Sequence, residues 1–153
     1  MASNSKNTSN KKFLTKSPEE TLDLGRRLGK RLKASDVVCL SGDLGGGKTL
    51  FTKGIAESLD IKDTIISPTF VISRKYEREQ YPTLYHLDLY RISTPSELEG
   101  IDLEDIIKDK NSITVIEWPE NASSLIPNTA IWILFKYIRL YQREIEIRGI
   151  NLI

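Results

Sequence analysis

Apolar residues along this chain switch between two periods. Over residues 17–33, "SPEETLDLGRRLGKRLK", Leu24, Leu28 and Leu32 recur at every fourth position, the stripe of an amphipathic helix. Ser17 as N-cap, Pro18 at the first helical position and Glu20 completing a capping box mark its start. "DVVCLS" is a continuous apolar run of the buried-strand type, and "KTLFTKGIAESL" returns to helical spacing. "TFVISRKYE" and "TLYHLDLYR" predict two strands with "QYP" in the turn region between them. "PSELEG" and "DLEDIIK" predict short acidic helices, and "ITVIEW" another buried strand. "KKFLTKS" reads as a first strand, and "AIWILFKYI" with "QREIEIRG" as an antiparallel pair closing the sheet. Strand and helix alternate in the first half, which predicts an α/β architecture.

Composition narrows this only a little. The chain has 153 residues, 39% apolar and 28% charged, with a net charge of +1, enough for one domain with its own core. The polar opening "MASNSKNTSN" lacks the apolar stretch of a secretory signal, so residues 1–10 are expected to be a disordered lead-in to a domain over 11–153. No apolar run approaches the length of a membrane span. A single cysteine, Cys39, excludes an intramolecular disulfide and fits a reducing cytoplasm. Within "VVCL" it reads as a buried, inert thiol. Charge is unevenly spread: residues 1–35 carry nine Lys/Arg against three Asp/Glu, and residues 86–121 the reverse. Solvated faces account for both stretches without invoking a nucleic acid or a basic partner.

The chemistry is concentrated at Gly42-Asp43-Leu44-Gly45-Gly46-Gly47-Lys48-Thr49, which fits G-x-x-x-x-G-K-[ST], the phosphate-binding P-loop. Its flanks are those the motif requires, a strand running in and a helix running out. Glycines let backbone N–H groups turn inward onto phosphate, and the helix start adds unpaired donors and the positive dipole end. Lys48 then supplies a cation for the terminal phosphates and Thr49 a hydroxyl for Mg²⁺.

Other candidates are weaker. Glu117, ending the apolar strand "ITVIE", stands where an acid near the metal belongs, though a Glu at a strand end is ordinarily a solvated residue. On "LYHLDLYR", Tyr85, Leu87 and Leu89 alternate with His86, Asp88 and Tyr90. The strand pattern alone favours a wet sheet face for this polar trio. The functional alternative has Asp88 orienting water or magnesium while His86 orients Asp88. Thr69 in "SPTF" is either a turn residue or a switch sensing the terminal phosphate. No N-K-x-D motif of a GTPase is present.

In order and spacing, the P-loop "GDLGGGKT", "SPTF", "HLDLYR" and "EWPE" resemble the TsaE family (formerly YjeE), the bacterial P-loop ATPases of tRNA threonylcarbamoyladenosine biosynthesis, over about residues 17–149. The resemblance implies a single P-loop NTPase-like three-layer sandwich, a central mixed sheet flanked by helices, that binds ATP and Mg²⁺. It implies ATP contacts from Pro18, from Gly42 through Leu50, and from Trp118 and Arg143. Leu50 would contribute only a backbone N–H where the family often has a second threonine. Thr49, Asp88 and Glu117 would surround the metal, with Lys48, Asp88, Glu117 and a switch-like Thr69 as the catalytic set. The implied setting is the cytoplasm, with the TsaB–TsaD complex as partner, tRNA involved indirectly, and neither membrane nor DNA. A small-molecule kinase is the alternative reading of the P-loop, with "RLYQR" as its thin candidate for an arginine lid.

Overall fold

In the computed structural model, residues 10–43, 47–66 and 72–152 are described. The expected lead-in up to residue 9, the loop residues Leu44, Gly45 and Gly46, and Thr69 lie outside them. Seven strands form one mixed sheet: β1 (Lys11–Thr15), β2 (Val37–Gly42), β3 (Ser73–Tyr76), β4 (Thr83–Asp88), β5 (Ser112–Glu117), β6 (Ile131–Arg139) and β7 (Gln142–Arg148). Their order across the sheet is β1-β7-β6-β2-β5-β4-β3. The four central strands β6, β2, β5 and β4 run parallel, while β3, β7 and β1 pair antiparallel at the margins.

Burial follows from this order. Parallel strands need crossovers that place helices on both faces, so a central strand reads as a continuous apolar run. All six residues of β5 and the first four of β2 are buried, as "ITVIE" and "VVCL" led one to expect. One face packs on helices α1 (Pro18–Gly29) and α2 (Lys48–Ser58) through Leu24, Leu28, Phe51 and Ile55. The opposite face packs on α3 (Pro95–Gly100), α4 (Leu103–Lys108) and a 3₁₀ segment (Pro119–Leu125) through Leu98, Leu103 and Ala122. The result is the three-layer sandwich. Among the described residues, no helix is long and apolar enough to cross a membrane.

Local signals work as the sequence implied. Ser17 Oγ accepts from Glu20 N at 3.1 Å, and the Glu20 carboxylate accepts from Lys16 N at 2.5 Å. The reciprocal bond of the capping box thus reaches one residue further back than the usual N-cap amide. Helix α1 ends at Gly29, so Leu32 packs against the core from outside the helix. Helices α1 and α2 meet at unusually close range: a Cβ on Gly54 would lie 2.2 Å from Leu22 O, and one on Gly25 2.3 Å from Phe51 O. That contact fixes α2 against α1 along their middles.

Candidate active site

The C-terminal ends of the parallel strands supply the groups, as is usual for ligand sites in α/β sheets. At the end of β2, Gly42 has φ 137°, and a Cβ there would lie 2.4 Å from Phe135 O. Only glycine meets both demands. Gly47, the N-cap of α2, sits at φ 98°, and Lys48 begins the helix. A helix start leaves its first N–H groups without intrahelical acceptors, an arrangement suited to anions. Thr49 and Leu50 are half-buried in this first turn, and Asp43 is exposed.

Lys48 is held inward. Its Nζ donates to Gly42 O at 2.6 Å and lies 4.2 Å from the centre of the Trp118 ring. Burial pushes its ammonium below the ordinary lysine value, opposed by the charges of Glu117, Asp88, Glu120 and Asp43. Trp118 takes a left-handed conformation, φ 58°, immediately after β5, and its ring packs on Tyr90 at 4.9 Å.

The two carboxylates arrive on adjacent strands. Asp88 ends β4, Glu117 ends β5, and the two are register partners. Both are buried, at 5% and 3% exposure, on the face that carries α2. That overturns the wet-face expectation for His86 and Asp88: the side of β4 that alternation alone left to solvent faces the core shared with α1, α2 and Ile61 and Ile65 beyond α2. Tyr90, beyond the end of β4, is exposed. The expected pairing of His86 with Asp88 is also corrected. His86 Nε2 lies 3.0 Å from Glu117 Oε2, and among the described residues His86 Nδ1 has no hydrogen-bond partner. His86 stands opposite Val115, so the next residue on that face of β5 is Glu117. Asp88 Oδ1 instead accepts from Tyr90 N at 2.9 Å.

Two contributors were not singled out as site residues in the sequence. Glu120 accepts from the Ser41 hydroxyl and adds negative charge near Lys48. Asn121 Nδ2 donates to Leu89 O at 2.8 Å, tying the segment after β5 to the end of β4. The only signal was Pro119, which announces a helical turn and so brings the residues after it back over the strand ends.

Pro18 and Arg143 lie further out. Pro18 is exposed at the first position of α1, whose next turn places Thr21 Cγ2 3.4 Å from where a Gly47 Cβ would be. Arg143 is paired with Thr15 on β1 and Tyr137 on β6, at the same sheet edge but two strands from β2. Its guanidinium donates to Gln142 O and Arg139 O and stacks on Tyr137 at 4.6 Å. The "RLYQR" stretch is a hairpin connection in which Arg139 pairs with Gln142, so it does not form a lid.

Thr49, Asp88 and Glu117 offer only hard oxygen donors, which suits Mg²⁺ better than a thiolate- or imidazole-seeking metal. Among the described residues no group of three or more His, Cys, Asp or Glu gathers as a self-sufficient metal site.

Comparison with known proteins assigns the family. The family model "Threonylcarbamoyl adenosine biosynthesis protein TsaE" matches residues 15–145. The chain belongs to the TsaE family. It is 39% identical over 138 residues to the "tRNA threonylcarbamoyladenosine biosynthesis protein TsaE" of Mycobacterium tuberculosis strain H37Rv, covering 85% of this chain and 73% of that one. The Bacillus subtilis protein of the same name is 36% identical over 140 residues, covering 92% and 86%. A solved structure, "Crystal structure of Bacillus subtilus YdiB", superposes with a TM-score of 0.76 at 31% identity, covering 94% of this chain and 88% of that one.

Proposed function

We propose that this TsaE-family chain is a Mg²⁺-dependent ATPase of tRNA threonylcarbamoyladenosine biosynthesis, sustaining repeated turnover of the TsaB–TsaD complex. The observation that carries the reading is the convergence of one buried cation, Lys48, with two buried, register-paired carboxylates at the strand ends beside a helix N-terminus. The names of the relatives support the pathway, and this site supports the chemistry.

Hydrolysis transfers the terminal phosphoryl group of ATP to water, giving ADP and inorganic phosphate. Lys48 and the first amides of α2 would bind the phosphates and stabilise the charge that builds on them. Thr49, Asp88 and Glu117 would hold Mg²⁺, which supplies charge neutralisation on the phosphate oxygens. Glu117 and Asp88 would orient the attacking water and accept its proton. Trp118 and Tyr90 form the apolar wall beside Lys48, and the start of α1 at Pro18 borders the nucleotide. An outside contact that orders these groups fits a switch-type P-loop domain, and the acidic stretch 86–121 contains both carboxylates.

The test counts modified adenosines per TsaB–TsaD complex, with and without this protein, in the presence of ATP and Mg²⁺. Repeated modification only when the chain is present, with faster ATP turnover in the mixture than in the protein alone, is the expected result. An unchanged count on omission would overturn the pathway role.

A further inference from the structure

His86 is the sole histidine of the chain and is 0% exposed, yet only one of its two ring nitrogens is used. Nε2 lies 3.0 Å from Glu117 Oε2, and among the described residues Nδ1 has no hydrogen-bond partner. A carboxylate only accepts, so the contact is a hydrogen bond when Nε2 carries a proton and donates. A ring protonated at Nδ1 alone would turn a lone pair towards the carboxylate instead.

We infer that His86 is the positioning residue for Glu117: its buried Nε2 holds Oε2 by a single hydrogen bond and leaves Oε1 for the metal and water side. The placement needs a residue two positions before Asp88 on the same face of β4, reaching diagonally to the end of β5. Outer partners that orient a carboxylate ligand affect metal affinity by roughly 10- to 100-fold. The inference rests on the reading of Glu117 as a carboxylate that serves Mg²⁺.

Two side chains separate positioning from core filling. Glutamine can place its amide nitrogen near the Nε2 position, whereas asparagine reaches only near Nδ1. ADP is titrated calorimetrically into the full chain with and without Mg²⁺, using wild type, His86→Gln, His86→Asn and Glu117→Gln. The expected result is that His86→Asn and Glu117→Gln each need at least about tenfold more Mg²⁺ to reach half the metal-dependent gain in ADP affinity. His86→Gln should stay within a few-fold of wild type, and metal-free ADP affinity should not move in any variant. If Glu117→Gln shifts the Mg²⁺ requirement and His86→Asn does not, the positioning role fails while the site stands. If Glu117→Gln shifts nothing, the reading of Glu117 itself fails. An independent check needs no substitution: the two ring nitrogens of this lone histidine are read by long-range ¹H–¹⁵N correlation in wild-type protein. A protonated Nε2 is expected, and an Nε2 without a proton overturns the inference.

Discussion

Asp88 and Glu117 stand as register partners across the parallel β4–β5 pair, each the last residue of its strand and each buried. Two carboxylates kept side by side and away from water repel one another unless a cation shares the space. Asp88→Asn and Glu117→Gln, which keep shape and remove charge, are therefore expected to lower Mg²⁺-dependent ATP turnover by about a hundredfold or more. Nucleotide affinity without metal should change little. Calorimetry and phosphate release on the same preparations provide the check, and full activity in both variants would make the pair structural.

Lys48→Ala should lower hydrolysis by about a hundredfold or more while leaving the domain folded. The Lys48 ammonium meets the Gly42 carbonyl and the Trp118 ring face at the strand ends, so removing it opens no gap in the apolar core. Unchanged circular dichroism beside near-zero phosphate release is the expected pair of observations. Normal turnover would end the phosphate role of this residue.

Trp118 offers an optical report. Its indole carries the Lys48 ammonium on one side and packs on Tyr90. Drawing the ammonium towards phosphate removes a charge 4.2 Å from the ring centre. Emission should respond to ATP or ADP in Trp132→Phe protein, whereas Trp118→Phe protein should lose most of the response. A silent Trp118 at saturating nucleotide would remove it from the pocket.

The close approach of α1 and α2 predicts a stability effect far from any chemistry. Gly54→Ala forces a methyl to within 2.2 Å of Leu22 O, a backbone atom that cannot rotate away. Overpacking of this kind costs about 1–3 kcal/mol or more. The melting temperature should drop by several degrees. A scanning calorimetry trace equal to wild type would mean that the helices separate freely.

Cys39 predicts a chemical silence. Burial in β2, with Glu120 adding to it, pushes the thiol up from 9.0 to about 12. Native protein should resist iodoacetamide at pH 8 and react only on unfolding. Between pH 9 and 12 the native thiol keeps a proton that the unfolded chain gives up, so this group makes stability fall as pH rises. Cys39→Ala should show a shallower decline across that window in urea unfolding. Rapid labelling of native protein would contradict the burial.

The strands and the longer helices were legible because their signals are local: periodicity, caps, and a glycine motif between a strand and a helix. The site was legible in part for the same reason, since Gly42, Gly47 and Lys48 announce themselves by spacing. What the chain could not reveal by alternation was which face of β4 is wet. "HLD" has the same pattern whether solvent or a packed core covers it, and the core on this side is built with residues from α1, α2 and the segment after α2, far away in sequence. The same limit applies to His86, whose partner is set by the register of β4 on β5, a non-local fact. The expected contact with Asp88 followed the strand, whereas the observed one crosses to its neighbour.

Lys48 begins already partnered: a carbonyl accepts from the ammonium and an indole face receives its charge. Under the proposed function an incoming phosphate would therefore enter by exchange, displacing partners already in place, and a measured affinity would report the difference between two occupied states. Departure would run the same exchange backwards: as phosphate left, Gly42 and Trp118 would recapture the ammonium, so product loss would not have to await rehydration of Lys48.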